Sequence, residues 1–261
     1  MSEKMLLAVS ITSRAVEIGC VNGEGVCATL SLSADKGRSA DEYALLLRDL
    51  LAFHGYEVSD FSHAMLSSVE PSLTDTVREA LSLTLGARVF TLGAGSKTGL
   101  SIRTDDPAEL GSDLVAAAVG ALSLYPPPLF LVSFGTATVL SAIDRNGAFI
   151  GCAIAPGLSV ASSALADEAA LLHAVTAKAP AAAIGKNTED SLRSGAVLGA
   201  AAMIDGLLSR MEAEMGEEGV PVIASGKLSD AIMPHTLRPF EQRDDLVFLG
   251  LYEIDKKSKK R

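Results

Sequence analysis

A hairpin with the composition of a phosphate-binding turn lies in the middle of the chain, within "LFLVSFGTATVLSAIDRNG" (129–147). An apolar strand runs into Phe134-Gly135-Thr136, a tight turn able to offer backbone N–H groups to an anion. In nucleotide sites built this way, the first strand usually ends in a carboxylate that manages the metal ion; here that position is Ser133. The segment therefore predicts a phosphate-binding hairpin, with Gly135 and Thr136 in its turn, that has lost its acid.

The opening of the chain repeats this pattern. "MLLAVSI" and "AVEIGCV" predict two strands, with Ser10 near the end of the first and Asn22-Gly23 forming the next turn. Placing Ser10 on Ser133 requires an offset of 123 residues, and placing Asn22 on Asn146 requires 124. An internal repeat at half the chain length predicts two lobes of similar topology, residues 1–118 and 119–261, with a cleft between them.

Strands and helices alternate along the rest of the chain, which indicates an α/β fold. Segment 39–55 has a Ser N-cap, acids in the first turn, leucines at helical spacing and a terminal Gly. Segments 157–177 and 188–219 are also rich in helix formers. These helices are expected to support the strands that carry the two turns.

Composition and charge exclude several functional classes. The chain has 261 residues, 48% of them hydrophobic, which predicts a globular protein with a well-buried core. A net charge of −10 argues against nucleic acid or an anionic membrane as a partner, and the basic residues 256–261 are expected to be a solvated terminus. The apolar region 114–143 contains "YPPP", so no membrane helix is expected there.

The cysteines and histidines predict no metal site. Cys20, Cys27 and Cys152 are widely spaced and form no Cys-x-x-Cys pair, and the four histidines show no ligand spacing. Unpaired cysteines fit a reducing compartment, and the first ten residues do not have the pattern of a signal peptide. A cytoplasmic location is therefore expected.

Several segments, in their order and spacing, resemble the type III pantothenate kinases of the actin/hexokinase-like (ribonuclease H-like) ATPase fold. The resemblance runs nearly the whole length and is carried by "SADEYALLLRDLL" (39–51), "SSVEPSLT" (67–74), "KTGLSIRTDDPAELGSD" (97–113), "FGTAT" (134–138), "GCAIAPG" (151–157), "IGKNTEDSLRSGAVLG" (184–199) and "ASGKL" (224–228). It implies phosphorylation of pantothenate by ATP, the first committed step toward coenzyme A. It also implies Mg²⁺, with a monovalent cation as a further candidate, and a dimer whose pantothenate pocket is shared across the interface.

The resemblance also marks where the nucleotide site departs from the family. The first phosphate loop of the family, Asp-x-Gly-Asn-Thr, is Ser10-Ile11-Thr12-Ser13-Arg14 here. The second, Asp-Phe-Gly-Thr, keeps Gly135 and Thr136 but has Ser133 in place of the acid. A serine hydroxyl does not replace a carboxylate as an anionic ligand of a hard cation. In the nucleotide-facing turn, a family Gly is replaced by Lys227. Binding of ATP by this chain is therefore doubtful.

The pantothenate side is altered less. The family's Gly-Ala-Asp-Arg is Gly111-Ser112-Asp113-Leu114, so the resemblance implies a substrate contact at Gly111 and a general base at Asp113, without the arginine that grips the substrate. An aromatic residue expected nine positions before the base is Thr104. Thr188, in the unaltered "IGKNT", corresponds to a residue that reaches into the neighbouring protomer's pocket.

Each of these residues also has a purely structural interpretation. Asp113 precedes an apolar stretch and could stabilise the start of a helix. Gly135-Thr136 could persist because the hairpin needs that turn, which is the interpretation we favour. Thr188 could be a helix N-cap, and the small face around Gly195 and Gly199 could serve helix packing within a protomer.

Three hypotheses follow for the function. In the preferred one, the chain is a degenerate subunit that pairs with an intact kinase paralogue and lends Thr188 to the partner's pantothenate site. In the second, it is a divergent, self-sufficient kinase that uses Asp113, alone or as a homodimer. In the third, it is a non-enzymatic regulator or accessory factor.

Overall fold

The computed structural model describes residues 4–259, which divide into two compact units. The first unit contains residues 4–100, 105–124 and 245–259, and the second contains 101–104 and 125–244. The division differs from a cut at 118/119 because that position lies inside the helix Ser112–Leu124. The last helix belongs to the first unit, where its backbone packs against this same helix. Lys260 and Arg261 of the predicted basic terminus lie outside the described residues.

The first unit is built on a five-stranded sheet. The strands, in chain order, are β1 (Met5–Ile11), β2 (Ala15–Asn22), β3 (Gly25–Ser33), β4 (Phe61–Ser68) and β5 (Val89–Thr91). Their order in the sheet is β3-β2-β1-β4-β5, with β1–β3 antiparallel and β4 and β5 parallel to β1. Because β4 pairs parallel to β1, the carboxyl ends of β1 and β4 lie at the same edge of the sheet.

Helices cover both faces of this sheet. Tyr43 and Leu47 of α1 (Ala40–Phe53) and Leu73 and Val77 of α2 (Pro71–Leu85) share a buried core with Val9. The other face is covered by the helices that we number α3 (Ser112–Leu124) and, last in the chain, α8 (Leu246–Lys259). Capping supports α1, since Ser39 and Glu42 form the predicted capping box.

The second unit is built on a six-stranded sheet. Its strands are β6 (Ser101–Ile102), β7 (Leu129–Phe134), β8 (Ala137–Ile143), β9 (Ala148–Pro156), β10 (Val222–Ser225) and β11 (Phe240–Gln242). The order β11-β10-β7-β8-β9-β6 contains the same meander and parallel pair as the first sheet, with β6 added beside β9. The topology of each unit therefore confirms the internal repeat predicted from the sequence.

The helices of the second unit are α4 (Leu158–Glu168), α5 (Thr188–Arg193), α6 (Gly199–Met215) and α7 (Ser229–Ile232), with a π-helical turn, Ser194–Leu198, joining α5 to α6. The Ala-rich helix ends at Glu168, earlier than its composition predicts, and 169–187 is largely irregular.

The continuous helical stretch Thr188–Met215 contains an 18-residue window with a mean hydropathy of 1.2, so by length and composition alone it could cross a membrane. It is weak evidence for a membrane span, because Val197, Ala201, Ile204 and Leu208 of this stretch pack into the core of the second unit.

Candidate active-site residues in the two units

Ser10 lies near the carboxyl end of β1 and is only 3% exposed. It is directly opposite Glu17 on the antiparallel strand β2 and Ser67 on the parallel strand β4. A hydroxyl, rather than a carboxylate, therefore lies near the end of the first strand of this unit. A buried serine in this position leaves the end of β1 without a charge of its own.

The loop that follows β1 is closed by its own side chain. The Thr12 hydroxyl accepts hydrogen bonds from the N–H of Ala15 (3.0 Å) and of Arg14 (3.4 Å), and it donates to the Ala15 carbonyl (3.1 Å). The Thr12 N–H also donates to the Ala15 carbonyl, at 2.8 Å. Side chains of this kind compete with other ligands for backbone amides. The N–H groups of Thr12, Arg14 and Ala15 are therefore bonded within the loop.

Asp113 lies in the first turn of α3, where the sequence analysis placed it, and is half-buried. Burial raises the pKa of its carboxyl, although hydrogen bonds from the N–H of Leu114 and from its own N–H act in the opposite direction. A carboxyl whose pKa is raised is a stronger base when ionised. Asp113 therefore lies at the start of a helix, as its structural role requires. Its raised pKa also gives it the basicity that proton abstraction requires.

Gly111 leaves room for the Asp113 carboxylate. A Cβ atom built on Gly111 would lie 2.5 Å from Asp113 Oδ1, closer than non-bonded atoms approach. The structure therefore brings together these two predicted residues, and the small size of one fixes the side-chain position of the other.

A chain of hydroxyls connects this helix start to the sheet. Ser112 Oγ lies 2.8 Å from Ser67 Oγ, and it accepts a hydrogen bond from the N–H of Ser68 at 3.1 Å. Since Ser67 is the neighbour of Ser10 in the sheet, Ser10, Gly111 and Asp113 belong to one region of the first unit. Sequence reasoning missed Ser67, because nothing in its local pattern shows that a residue 45 positions away will face it.

In the second unit, Ser133 is the second-last residue of β7 and is half-buried. It is in register with Ser225 at the end of the parallel strand β10, and their hydroxyl oxygens lie 3.3 Å apart. The edge of this sheet therefore also ends in hydroxyls where the resemblance expects an acid.

The Gly135-Thr136 turn joins β7 to β8 and is exposed. The Gly135 N–H donates to the Ala137 carbonyl at 2.9 Å, and the Gly157 N–H donates to the Thr136 carbonyl at 2.9 Å. A Cβ on Gly157 would lie 2.6 Å from the Thr136 carbonyl oxygen, so the end of β9 packs closely on the turn. The turn is thus held by its own strands, and the Gly135 amide is used within the hairpin.

The nucleotide-facing turn also contains its own acceptor. Gly226 has a φ of +101°, and its N–H donates to Asp244 Oδ1 at 2.8 Å. A Cβ on Gly226 would overlap the Phe134 carbonyl, so only glycine fits at this position. The second glycine of the family turn has no such counterpart here, because the next residue is Lys227. Asp244 has no local sequence signal for this role, because it lies 18 residues from Gly226.

Thr188 is exposed at the first position of α5. The N-cap is Asn187, whose side chain accepts from the Asp190 N–H at 2.8 Å, so the interpretation of Thr188 as the cap is wrong by one residue. A Cβ on Gly185 would overlap the backbone of Ser191. The loop is therefore wound tightly onto α5 and presents Thr188 outward.

The resemblance implies a divalent cation, but the side chains at the strand ends are not suitable ligands for one. The strand ends offer the hydroxyls of Ser10 and Ser133, which are weak ligands for a hard cation compared with carboxylates. Among residues 4–259, no group of three or more His, Cys, Asp or Glu side chains could hold a metal ion. The residues within each unit therefore do not form a resident metal site.

Comparison with known proteins gives one family. The family model described as type III pantothenate kinase matches residues 6–210. A type III pantothenate kinase of Moorella thermoacetica is 36% identical over 88% of this chain and 90% of its own. One of Thermomicrobium roseum is 37% identical over 95% of each. Among solved structures, a ROK hexokinase from Thermus thermophilus is similar in fold, with a TM-score of 0.54 at 13% identity over 98% of this chain and 100% of that one.

Proposed function

This chain belongs to the type III pantothenate kinase family, and from that premise we propose that it acts in the ATP-dependent phosphorylation of pantothenate, in coenzyme A biosynthesis, as a degenerate subunit beside an intact kinase subunit. The names of its relatives support the reaction. Its own residues support the subsidiary role. A cytoplasmic location is part of the proposal, consistent with three free cysteines.

The observation that carries the proposal is that N–H groups of both phosphate loops are bonded within the chain. Thr12 Oγ1 accepts from the N–H groups of Arg14 and Ala15 in the first loop, and the Ala137 carbonyl accepts from the Gly135 N–H in the second. Phosphoryl transfer depends mainly on positioning and charge neutralisation. The loss of the carboxylate at the strand end is expected to cost several kcal/mol of transition-state stabilisation. The loss of close backbone donors is expected to cost a similar amount. ATP with Mg²⁺ is therefore assigned to the partner's site rather than to this chain.

Thr188 is the residue that we propose this chain contributes. It is exposed on a loop that is fixed by the Asn187 cap and by the close approach of Gly185 to Ser191. A rigid loop positions a side chain for a neighbouring pocket at a small entropic cost. Ile184, four residues before Thr188, is 83% exposed, which suits a surface that a second subunit covers.

Asp113 supports the second candidate, a divergent self-sufficient kinase. Its raised pKa and its fit against Gly111 are the properties of a general base that would accept the proton of the pantothenate hydroxyl. In that scheme ATP, the phosphoryl donor, would be bound without a carboxylate near the end of β1 or β7.

The test measures ATP-dependent phosphorylation of pantothenate by this chain alone and by this chain co-expressed with a full-motif copy from the same genome. Turnover that depends on the mixture and decreases at least tenfold with Thr188→Ala supports the degenerate subunit. Thr176→Ala, an exposed threonine of the same unit, is the matched control and should have no effect.

Two outcomes contradict the proposal. Turnover by the chain alone that is abolished by Asp113→Asn would establish the self-sufficient kinase. A stable homodimer, with no association with an intact copy and no activity, would favour the regulator.

A further inference from the structure

The outward face of helix α1 borders a surface groove that carries two opposite charges. The inner face of α1 is buried in the core of the first unit through Tyr43, Leu47 and Leu51. Where α1 meets α2, a groove of about 350 Å³ is open at the surface, and it is lined by Asp41, Ala44, Leu45, Arg48, Leu83 and Thr84. None of these six residues has a role in the proposed reaction.

The groove has small residues where the two helices meet and leucines beside them. Thr84 Oγ1 on α2 donates to the Ala44 carbonyl on α1 at 3.3 Å, so the helices approach each other closely at this point. Leu45 and Leu83 are 53% and 56% exposed. Covering these two side chains with an apolar group removes their exposed surface from water, which is favourable. The groove therefore suits an incoming apolar side chain.

The two charged residues of the groove lie two helical turns apart on one face of α1. Asp41, Leu45 and Arg48 have the spacing of four and then three residues that aligns side chains along a helix. Asp41 is exposed in the first turn. The Arg48 side chain is 61% exposed, and its Nε lies 3.9 Å from the Asp49 carboxylate, a loose contact that leaves the guanidinium accessible to another acid.

We propose that this face binds a second copy of the chain, with the two α1 helices antiparallel about a two-fold axis that passes between Ala44 and Leu45. In a two-fold interface, if residue i meets residue j, then residue j also meets residue i. Asp41 therefore lies opposite Arg48 of the second copy, and Arg48 lies opposite its Asp41. Leu45 lies opposite Ala44 of the second copy, so a large side chain meets a small one on both sides of the axis.

The charges select this orientation over a parallel one. In a parallel pair, Asp41 would face Asp41 and Arg48 would face Arg48, and opposed like charges repel each other. The antiparallel register also brings Asp49 next to Ala40 of the second copy, at the start of that helix, where the helix dipole favours an acid. Because the face is small compared with the roughly 20–30 residues a side of a standard interface, the association is expected to be reversible and weak.

Sedimentation equilibrium of the full chain, from about 1 μM to about 1 mM, measures the association. The mass of the wild-type particle should double reversibly as the concentration rises, and the association should weaken as salt is added. Asp41→Arg leaves only positive groups at the two positions, and Arg48→Asp leaves only negative ones. Each single variant should therefore self-associate about tenfold more weakly than wild type, or weaker still.

A mixture of the two single variants gives the sharpest result. In the mixed pair, each positive group lies opposite a negative one, so association should return to near the wild-type level. The double variant Asp41→Arg/Arg48→Asp should also recover it. The matched controls are Asp75→Arg and Arg78→Asp, which reverse the charges of an exposed pair on α2, and both should associate as wild type does.

All four substituted positions are exposed, so the variants should fold, which circular dichroism checks. A wild-type mass that does not change with concentration, single variants that associate as wild type does, or a mixture that does not recover association would each overturn the inference. Binding of an intact kinase copy, weakened by Arg48→Asp while the wild-type chain does not self-associate, would show that the face takes another partner and that a second copy is wrong. Assembly through the Thr188 loop would be unaffected by these reversals, so the result is separate from the proposed function.

Discussion

The side-chain hydroxyls of Ser133 and Ser225 lie 3.3 Å apart at the ends of two neighbouring parallel strands. Family resemblance expects a carboxylate at the first of these positions. In this chain the two hydroxyls instead bond to each other, so the end of the strand is neutral and internally satisfied. In the loop that follows Ser10 in the first unit, the Thr12 hydroxyl likewise accepts from the N–H groups of Arg14 and Ala15.

We expect Thr12→Val to destabilise the protein by about 1–2 kcal/mol, because the isosteric change leaves the Ala15 N–H without its side-chain acceptor. Urea unfolding followed by circular dichroism measures the difference. Thr29→Val, at an exposed position of β3, is the control and should change stability by less than about 0.5 kcal/mol. Equal effects of the two substitutions would show that the Thr12 hydroxyl does not hold the loop.

Gly111→Ala is expected to move the Asp113 side chain, because its new Cβ would lie 2.5 Å from Oδ1. Displacement toward solvent reduces the burial that raises the pKa of this carboxyl, so the pKa should fall toward its ordinary value. Carbon NMR of the carboxyl group measures the titration. Gly93→Ala, at a position with open space around the added methyl group, should leave the titration unchanged.

Stability should depend on pH through Asp113 with a defined sign. Its folded-state pKa is raised, so the folded state binds the proton more tightly than the unfolded state, and the ionised group lowers stability above that pKa. Asp113→Asn should therefore be more stable than wild type at pH 8, by about 1.4 kcal/mol for each unit of pKa shift, with the advantage disappearing near pH 3.

Denaturant unfolding of both proteins from pH 3 to pH 8 measures this difference. Asp49→Asn, whose side chain is 77% exposed, provides the comparison and should show a much smaller effect. A wild-type protein that is more stable than Asp113→Asn at pH 8 would contradict the sign.

Gly250→Ala is expected to destabilise the protein by about 3 kcal/mol or more, because its Cβ would overlap the Ala116 carbonyl where α8 crosses α3. Gly206→Ala on α6 has open space around the added methyl group and should instead stabilise the protein by about 0.5–1 kcal/mol through helix propensity. Thermal unfolding of the pair separates the packing effect from propensity. A small loss for Gly250→Ala would show that the two helices can move apart.

Several features of the fold could be predicted from local pattern alone. Continuous apolar runs identify β1 and β7, and alternation of apolar residues identifies β2, β3 and β8. The offset between Ser10 and Ser133 identifies the repeat. The Ser39 capping box and the glycine at position 86 mark the start of α1 and the end of α2. The helix expected over 157–177 ends early, because composition favours a helix there but only Leu158 and Ser162 of α4 are buried.

The sequence by itself determined the family, the α/β class, the repeat and the identities of the residues at the strand ends, because these depend on residue type and on short periodic patterns. Tertiary structure decided which groups satisfy one another. Asp244 reaches the Gly226 amide, Ser112 reaches Ser67, and Asp255 reaches His63 across 192 residues of chain. Such pairings follow from strand register and helix packing, which bring distant segments together, and no local pattern encodes them.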